Sequence, residues 1–381
     1  MQILTKLPKV GTTIFTVMSQ LAMQHKAINL GQGFPDFDGP QSLRDALAAA
    51  MNSGRNQYAP MTGVPKLREQ IALKTEKLYG RKVSADTEVT VTSGATEALF
   101  AAIAAVVHAG EEVIVLDPCY DSYEPAIELA GARAVHVPLS LPDFSVDWAR
   151  VKAAITPKTR MILINSPHNP TGAVLSADDL DALAELVRGT DIFVLSDEVY
   201  EHIIFDGQSH QSVLRHAELV ARSFVVSSFG KTYHCTGWKV GYCIAPPQLS
   251  AEFRKVHQYL TFCTFSPAQW AFADVLEADP QHYLDLPHFY QAKRDRFREL
   301  LAKSKFKLQP VGGAYFQLVD YSAISDKDDL NFCEWLVREA GVAAIPVSAF
   351  YENPPESRLI RFCFAKSDET LVAAAERLCK L

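Results

Sequence analysis

Met161-Ile162-Leu163-Ile164-Asn165-Ser166-Pro167-His168-Asn169-Pro170-Thr171-Gly172 runs from an apolar stretch into a proline-bounded turn. A helical stretch over 177–188 and a second apolar run, Ile192-Phe193-Val194-Leu195-Ser196-Asp197-Glu198-Val199-Tyr200, follow it. Short strand, helix with Ser176 as N-cap, and short strand again form the repeat of a parallel sheet covered on both faces. The repeat extends in both directions. Residues 88–92, 112–116, 134–137 and 223–227 are further β-rich runs bounded by turn residues, with helix candidates at 96–108 and 122–130 between them. The middle of the chain is therefore α/β.

The ends depart from this pattern. Residues 1 to about 40 read as loop, with Gly31, Gly33, Pro35, Gly39 and Pro40 close together. From about 275, a long charged helix precedes separated strands at 312–318 and 359–364, which read as a smaller α+β unit to which the N-terminal segment returns. The expected division is an N-terminal segment over 1–44, a large domain over 45–274 and a small domain over 275–381.

With 381 residues the chain can bury a large core and form an interdomain cleft. The formal charge is 37 − 44 = −7, which gives no general attraction for nucleic acid or an anionic membrane. The longest apolar stretch, 98–110, falls short of the roughly 20 residues of a bilayer span. The first 26 residues carry Lys6, Lys9, His25 and Lys26 without an apolar leader region, so a cytoplasmic protein is expected. Seven cysteines without a C-x-x-C pair fit that reducing compartment. No spacing of His168, His202 or His234 reads as a metal site, and no metal is expected.

Each chemical hint in the core follows a strand, where open α/β sheets place ligands. Ser93-Gly94-Ala95-Thr96-Glu97 opens a helix whose free N–H groups suit a phosphate, although such turns are common without one. No glycine-rich dinucleotide fingerprint occurs, which removes a nicotinamide dehydrogenase. Asn169 sits on the proline turn as a fixed donor. Asp197 is a strand-end carboxylate, costly to bury without a cation or else a helix cap. Lys231, in Ser228-Phe229-Gly230-Lys231-Thr232, is an amine at the mouth of a buried sheet, where desolvation can make it nucleophilic. Taken singly, a turn, a cap and a surface lysine are the ordinary explanations. Together they form the parts that pyridoxal phosphate chemistry requires.

Asn169-Pro170-Thr171-Gly172, Asp197-Glu198-Val199-Tyr200, Ser228-Phe229-Gly230-Lys231-Thr232 and Thr236-Gly237-Trp238-Lys239-Val240-Gly241 resemble, in order and spacing, the signatures of fold-type-I, class I aminotransferases. The resemblance spans essentially the whole chain. It implies a seven-stranded, mainly parallel sheet and pyridoxal 5'-phosphate as cofactor, with ping-pong transfer of an amino group from an amino acid to a 2-oxo acid. Lys231 would form the Schiff base and move the proton, Asp197 would hold the ring nitrogen, and Asn169 and Tyr200 the ring oxygen. Gly94, Ala95, Thr96, Ser228 and Lys239 match phosphate positions, Lys239 standing where many relatives carry arginine. Tyr120 matches the residue stacked on the ring, and Tyr58 the tyrosine that reaches the neighbouring subunit's phosphate, which implies a homodimer. Arg361 matches the grip on the substrate carboxylate, with Arg358 as its confusable neighbour, and Phe15, Gly33 and Asn169 complete the substrate site. Phe229 and Trp238 read as packing residues.

Asn29-Leu30-Gly31-Gln32-Gly33-Phe34-Pro35 and Ile360-Arg361-Phe362-Cys363-Phe364 resemble the branch holding kynurenine/glutamine transaminases and bacterial methionine aminotransferases. No arginine lies between Arg254 and Arg294 or within residues 1–43. The aromatic run Tyr259 to Phe265 is expected to form a side-chain wall suited to methionine, aromatic or glutamine-like donors. A C–S β-lyase shares the same cofactor residues, and a non-catalytic cofactor-binding regulator has no DNA-binding extension to support it.

Overall fold

The computed structural model describes residues 3–381. Its large sheet has seven strands in the order Val89–Thr92, Gly241–Ile244, Ser223–Ser228, Phe193–Asp197, Thr159–Asn165, Glu112–Asp117 and Arg133–Pro138. Gly241–Ile244 is antiparallel to both neighbours, and the remaining pairings are parallel. This strand is missing from the residue-level reading of the sequence, because four residues led by a glycine carry too little β pattern.

The two-residue alternation along each strand builds two cores. Ile114, Ile162, Ile164, Val194 and Val225 face one apolar layer, while Val113, Val115, Met161, Leu163, Leu195, Phe224 and Val226 face the other. Helices cover both faces. Gly94–Val106 is almost wholly apolar because it packs within the second layer. Ala177–Val187 starts at Ser176 in a capping box with Asp179, an arrangement that stabilises a helix by about 1 kcal/mol.

The N-terminal stretch expected as loop contains a helix, Ile14–Gln24, capped by Thr13, whose Oγ1 accepts from the Thr16 amide at 3.3 Å. Met18 and Ala22 give it a buried stripe, a period obscured in the sequence by the glycines and prolines that follow. Ile28–Asn29 then pairs in parallel with Val342–Ala343. A four-stranded antiparallel sheet has the order Ile345–Pro346, Leu359–Cys363, Phe316–Asp320 and Lys307–Leu308. Helix Ser266–Ala278 runs through the boundary expected at 274, and the chain turns only at Asp279 and Pro280.

The strand expected from residue 312 begins at Phe316. The preceding residues cross to the large sheet instead: the Gly313 amide donates to the Gly172 carbonyl at 2.9 Å and Ala314 to Ile203 at 2.8 Å, with Ala314 at φ +56°. A side chain at 313 would meet Pro167 Cβ at 2.6 Å, so only glycine allows this crossing. No helix among the described residues is long and apolar enough to cross a membrane.

Candidate active site

The carboxyl ends of three adjacent parallel strands place Asn165, Asp197 and Ser228 along one edge of the large sheet. A cavity of about 300 Å³ opens there against residues of the chain ends. Phe15, Gly33, Gly94, Ala95, Thr96, Tyr120, Asn169, Asp197, Tyr200, Ser228, Lys231, Lys239 and Arg361 all line it.

Asp197 lies at its floor, buried. Tyr123 OH donates to Oδ2 at 2.7 Å and the Val199 amide to Oδ1 at 3.3 Å, yet no basic side chain among the described residues pairs with it within salt-bridge distance. Burial raises its pKa to about 6, against the lowering influence of those bonds and of Lys231. The site thus holds a carboxylate short of a cation. Asn165 staples two strand ends, its Nδ2 donating to the Asp197 carbonyl at 2.8 Å and its Oδ1 accepting from the Asn169 amide at 2.8 Å.

Lys231 follows the strand Ser223–Ser228 on a one-turn helix. Its amine is lowered to about 8, first by burial and further by Arg361 and Lys239, with Cys363 and Asp197 opposing. At the other end of the cavity Gly94–Val106 begins, its first-turn amides without intrahelical partners. Gly241 lies against this turn, and a Cβ there would stand 2.9 Å from the Ala95 nitrogen. With Ser228 and Lys239 alongside, the turn forms a pocket for a dianion.

Arg361 is 1% exposed. Its Nη1 donates to Asn169 Oδ1 at 2.7 Å and its Nη2 to the Gly31 carbonyl at 2.9 Å, while the buried Nε has no partner. Phe316, Phe15 and Phe350 surround the guanidinium at 4.0, 5.2 and 5.2 Å. Burial lowers its pKa to about 10, so it remains charged without an anion. Arg358, by contrast, reaches the surface, 3.4 Å from Asp326.

Two expectations fall elsewhere. Tyr58 is 82% exposed and meets Phe262 edge-on at 5.3 Å, away from this chain's own cavity. The aromatic run Tyr259 to Phe265 does not line this chain's cavity either; Tyr259 and Leu260 at the end of the helix Pro247–Leu260, and Phe262 and Phe265 in the link to the next helix, are exposed, Phe262 against Tyr58. The apolar walls are instead Phe15, Phe34, Leu99 and Phe316. Tyr123, Asn165 and Tyr315 were not singled out; an asparagine closing an apolar strand and a tyrosine three residues after Tyr120 were the signals available.

A parallel sheet with an amine, a cation-seeking carboxylate and an anion cradle at one edge defines a class of enzyme that works on amino groups through a carbonyl cofactor. Residues 25–378 match the family described as "Aminotransferase class I and II". Over 377 residues, 99% of this chain and 98% of the relative, the sequence is 58% identical to the methionine aminotransferase of Escherichia coli. A solved structure whose title assigns an Escherichia coli protein a methionine aminotransferase function superposes with a TM-score of 0.98 at 57% identity, covering 100% of both chains. Kynurenine–oxoglutarate transaminase 1 of Mus musculus is 34% identical over 95% of this chain and 93% of its own. The chain belongs to the class I and II aminotransferase family: it is a pyridoxal phosphate-dependent enzyme that transfers an amino group between an amino acid and a 2-oxo acid.

Proposed function

We propose that the amino donor is methionine or another uncharged, sulfur-containing or aromatic amino acid. The observation that supports this most is that Arg361 is, among the described residues, the sole arginine lining a cavity whose apolar walls are Phe15, Phe34, Leu99 and Phe316. One guanidinium meets one carboxylate, and a second carboxylate would be buried against apolar walls at a cost of several kcal/mol. The 58% identity to a methionine aminotransferase points the same way.

The donor set fits the cofactor, since Asp197 is a buried carboxylate lacking a cation and the Gly94–Thr96 turn, Ser228 and Lys239 offer donors to a phosphate. Pyridoxal phosphate, when bound, supplies the electron sink for the α-carbon. Asp197 and Tyr120, which both line the cavity, would hold the ring, Asp197 by keeping a proton on it. Lys231 would be the covalent anchor and the base that moves the proton between the α-carbon and the cofactor, a task suited to an amine lowered to about 8. Arg361 fixes the substrate by its carboxylate. Asn169, with its oxygen committed to Arg361, keeps its NH₂ as a donor into the cavity, where Tyr200 also lies. Tyr58 and the apolar patch around Phe262 would meet a second copy of the chain, completing a phosphate site in a homodimer. We place this enzyme in the cytoplasm.

Comparing kcat/KM for methionine and aspartate with one common 2-oxo acid tests the donor assignment. Methionine should be favoured by roughly a hundredfold or more. Equal efficiency with aspartate would overturn it.

A further inference from the structure

Outside the residues the sequence singled out, one hydroxyl touches the active amine. Lys231 Nζ donates to Tyr315 OH at 2.8 Å and to the Gly33 carbonyl at 3.0 Å, and Tyr315 OH donates to the same carbonyl at 2.6 Å. The Tyr315 ring is fully buried, with Tyr200 edge-on at 5.1 Å, Phe316 edge-on at 5.0 Å and Tyr290 tilted against it at 5.7 Å. Burial, and after it Tyr200, pushes this phenol well above its ordinary pKa. Its one proton is therefore retained and committed to Gly33, and its lone pairs are left for Lys231.

We infer that Tyr315 is a positioning residue for Lys231: with the Gly33 carbonyl it occupies two of the amine's three free directions and leaves one for the substrate's α-carbon. This rests on the assignment of Lys231 as the base. A nitrogen bonded to Cε has three remaining tetrahedral directions, and two of them end on Tyr315 and Gly33. The third carries the lone pair of the neutral amine or the third proton of the ammonium. The C–H bond that breaks at the α-carbon leaves its electron pair to the sink that bound pyridoxal phosphate would supply and sends its proton along that direction to form an N–H bond; that N–H bond breaks when the amine delivers the proton to the cofactor side. The hydroxyl cannot follow the amine, because Gly313 and Ala314 are tied to Gly172 and Ile203. The amine must come to the hydroxyl.

Besides Tyr315, the titratable or charged groups facing Lys231 are Asp197, Cys363, Tyr200, Arg361 and Lys239; Tyr315→Phe leaves all five in place but also removes the hydroxyl that acts on Tyr200 and Arg361, so Tyr200→Phe is run beside it. In the cofactor-free full-length chain, the pH dependence of Lys231 labelling by acetic anhydride, read by peptide mass spectrometry, should move down by about one unit, because the ammonium loses an acceptor. In the holoenzyme kcat should fall about tenfold while KM for methionine stays within about twofold, and the isotope effect with α-deuterated methionine should rise. Tyr290→Phe is the control, since its hydroxyl is buried without a partner in the same aromatic stack; it should move neither readout. An unchanged labelling midpoint or isotope effect in Tyr315→Phe, or equal changes in Tyr290→Phe, would overturn the proposal. Failure of the Lys231 assignment itself would be seen separately, as turnover surviving in Lys231→Ala.

Discussion

Asp197 at the end of its strand and Glu201 on the turn that follows are four residues apart, both buried, and carry their charges under opposite terms. Glu201 receives Lys74 Nζ at 2.7 Å, Ser227 Oγ at 2.5 Å and Tyr242 OH at 2.9 Å on one oxygen, and Tyr79 OH on the other. Burial pushes its carboxyl up, but Lys74, His202 and those hydrogen bonds outweigh it and hold the group well below the usual range. Asp197 has a phenol and an amide but no basic partner, and rises to about 6. The same contrast separates two arginines: Arg294 grips Asp206 through both terminal nitrogens at 2.6 and 2.7 Å, while Arg361 holds only neutral oxygens. Compensated charges hold the fold together, and uncompensated ones await a ligand.

The sharpest way to break this comparison is Asp197→Asn. It should lower turnover by roughly a thousandfold or more, through loss of the charge proposed to face the cofactor, while the cofactor-free chain stays at least as stable as before. Turnover and chemical denaturation measured on the same preparation decide it; a variant that loses stability and keeps its rate would invert the argument. Glu201→Gln should behave in the opposite sense, costing about 3–5 kcal/mol in denaturation by stranding Lys74, with Lys74→Met in the same chain recovering a large part. A double mutant no better than the single would show that the pair was not the source.

A smaller effect lies in the pH dependence of stability. Between an ordinary carboxylate pKa near 4 and about 6, folded Asp197 binds a proton that the unfolded chain does not. Stability of the cofactor-free protein should therefore fall as pH rises through that window, by up to about 3 kcal/mol, and Asp197→Asn should remove the slope. Glu201 acts below it: its contribution is complete above about pH 4.3 and is lost as pH falls further. Urea titrations at intervals from pH 3 to 7 separate the two. The smallest expected effect is at Tyr58. Tyr58→Phe should reduce turnover by about tenfold or less, and mixing it with Lys231→Ala subunits should restore one intact site per hybrid dimer. Verified subunit exchange without any gain would place Tyr58 outside a shared site.

The sheet was legible because its parallel strands are buried on both faces and so appear as plain apolar runs, each closing on a polar residue at the edge. Asp197 closes one such strand, and Asn169 and Lys231 stand within four residues of two others, where side-chain placement depends on only a few neighbouring residues. Arg361 was placed by resemblance and by strand alternation. Tyr315 was not legible: its position depends on a crossing in which Gly313 and Ala314 leave the small sheet to bond Gly172 and Ile203, a contact between distant segments. The aromatic run Tyr259 to Phe265 lies outside this chain's own cavity, beside Tyr58, and a single chain's sequence does not distinguish an apolar wall from an apolar surface. Glu201 and Lys74 are 127 residues apart, so their pairing carried no local signal.

Arg361 donates to Gly31, 330 residues before it, and to Asn169, 192 residues before it. Asp197 and Ser228, by contrast, close neighbouring strands, and Lys231 follows three residues later. As the chain leaves the ribosome from its amino end, the segment bearing the reactive lysine emerges and can collapse onto its sheet long before residue 361 has been synthesised. The proposed carboxylate clamp at Arg361 must then close a loop spanning most of the polypeptide, the entropically slower step. On the nascent chain, the means of reacting with an amino group precedes the means of choosing one.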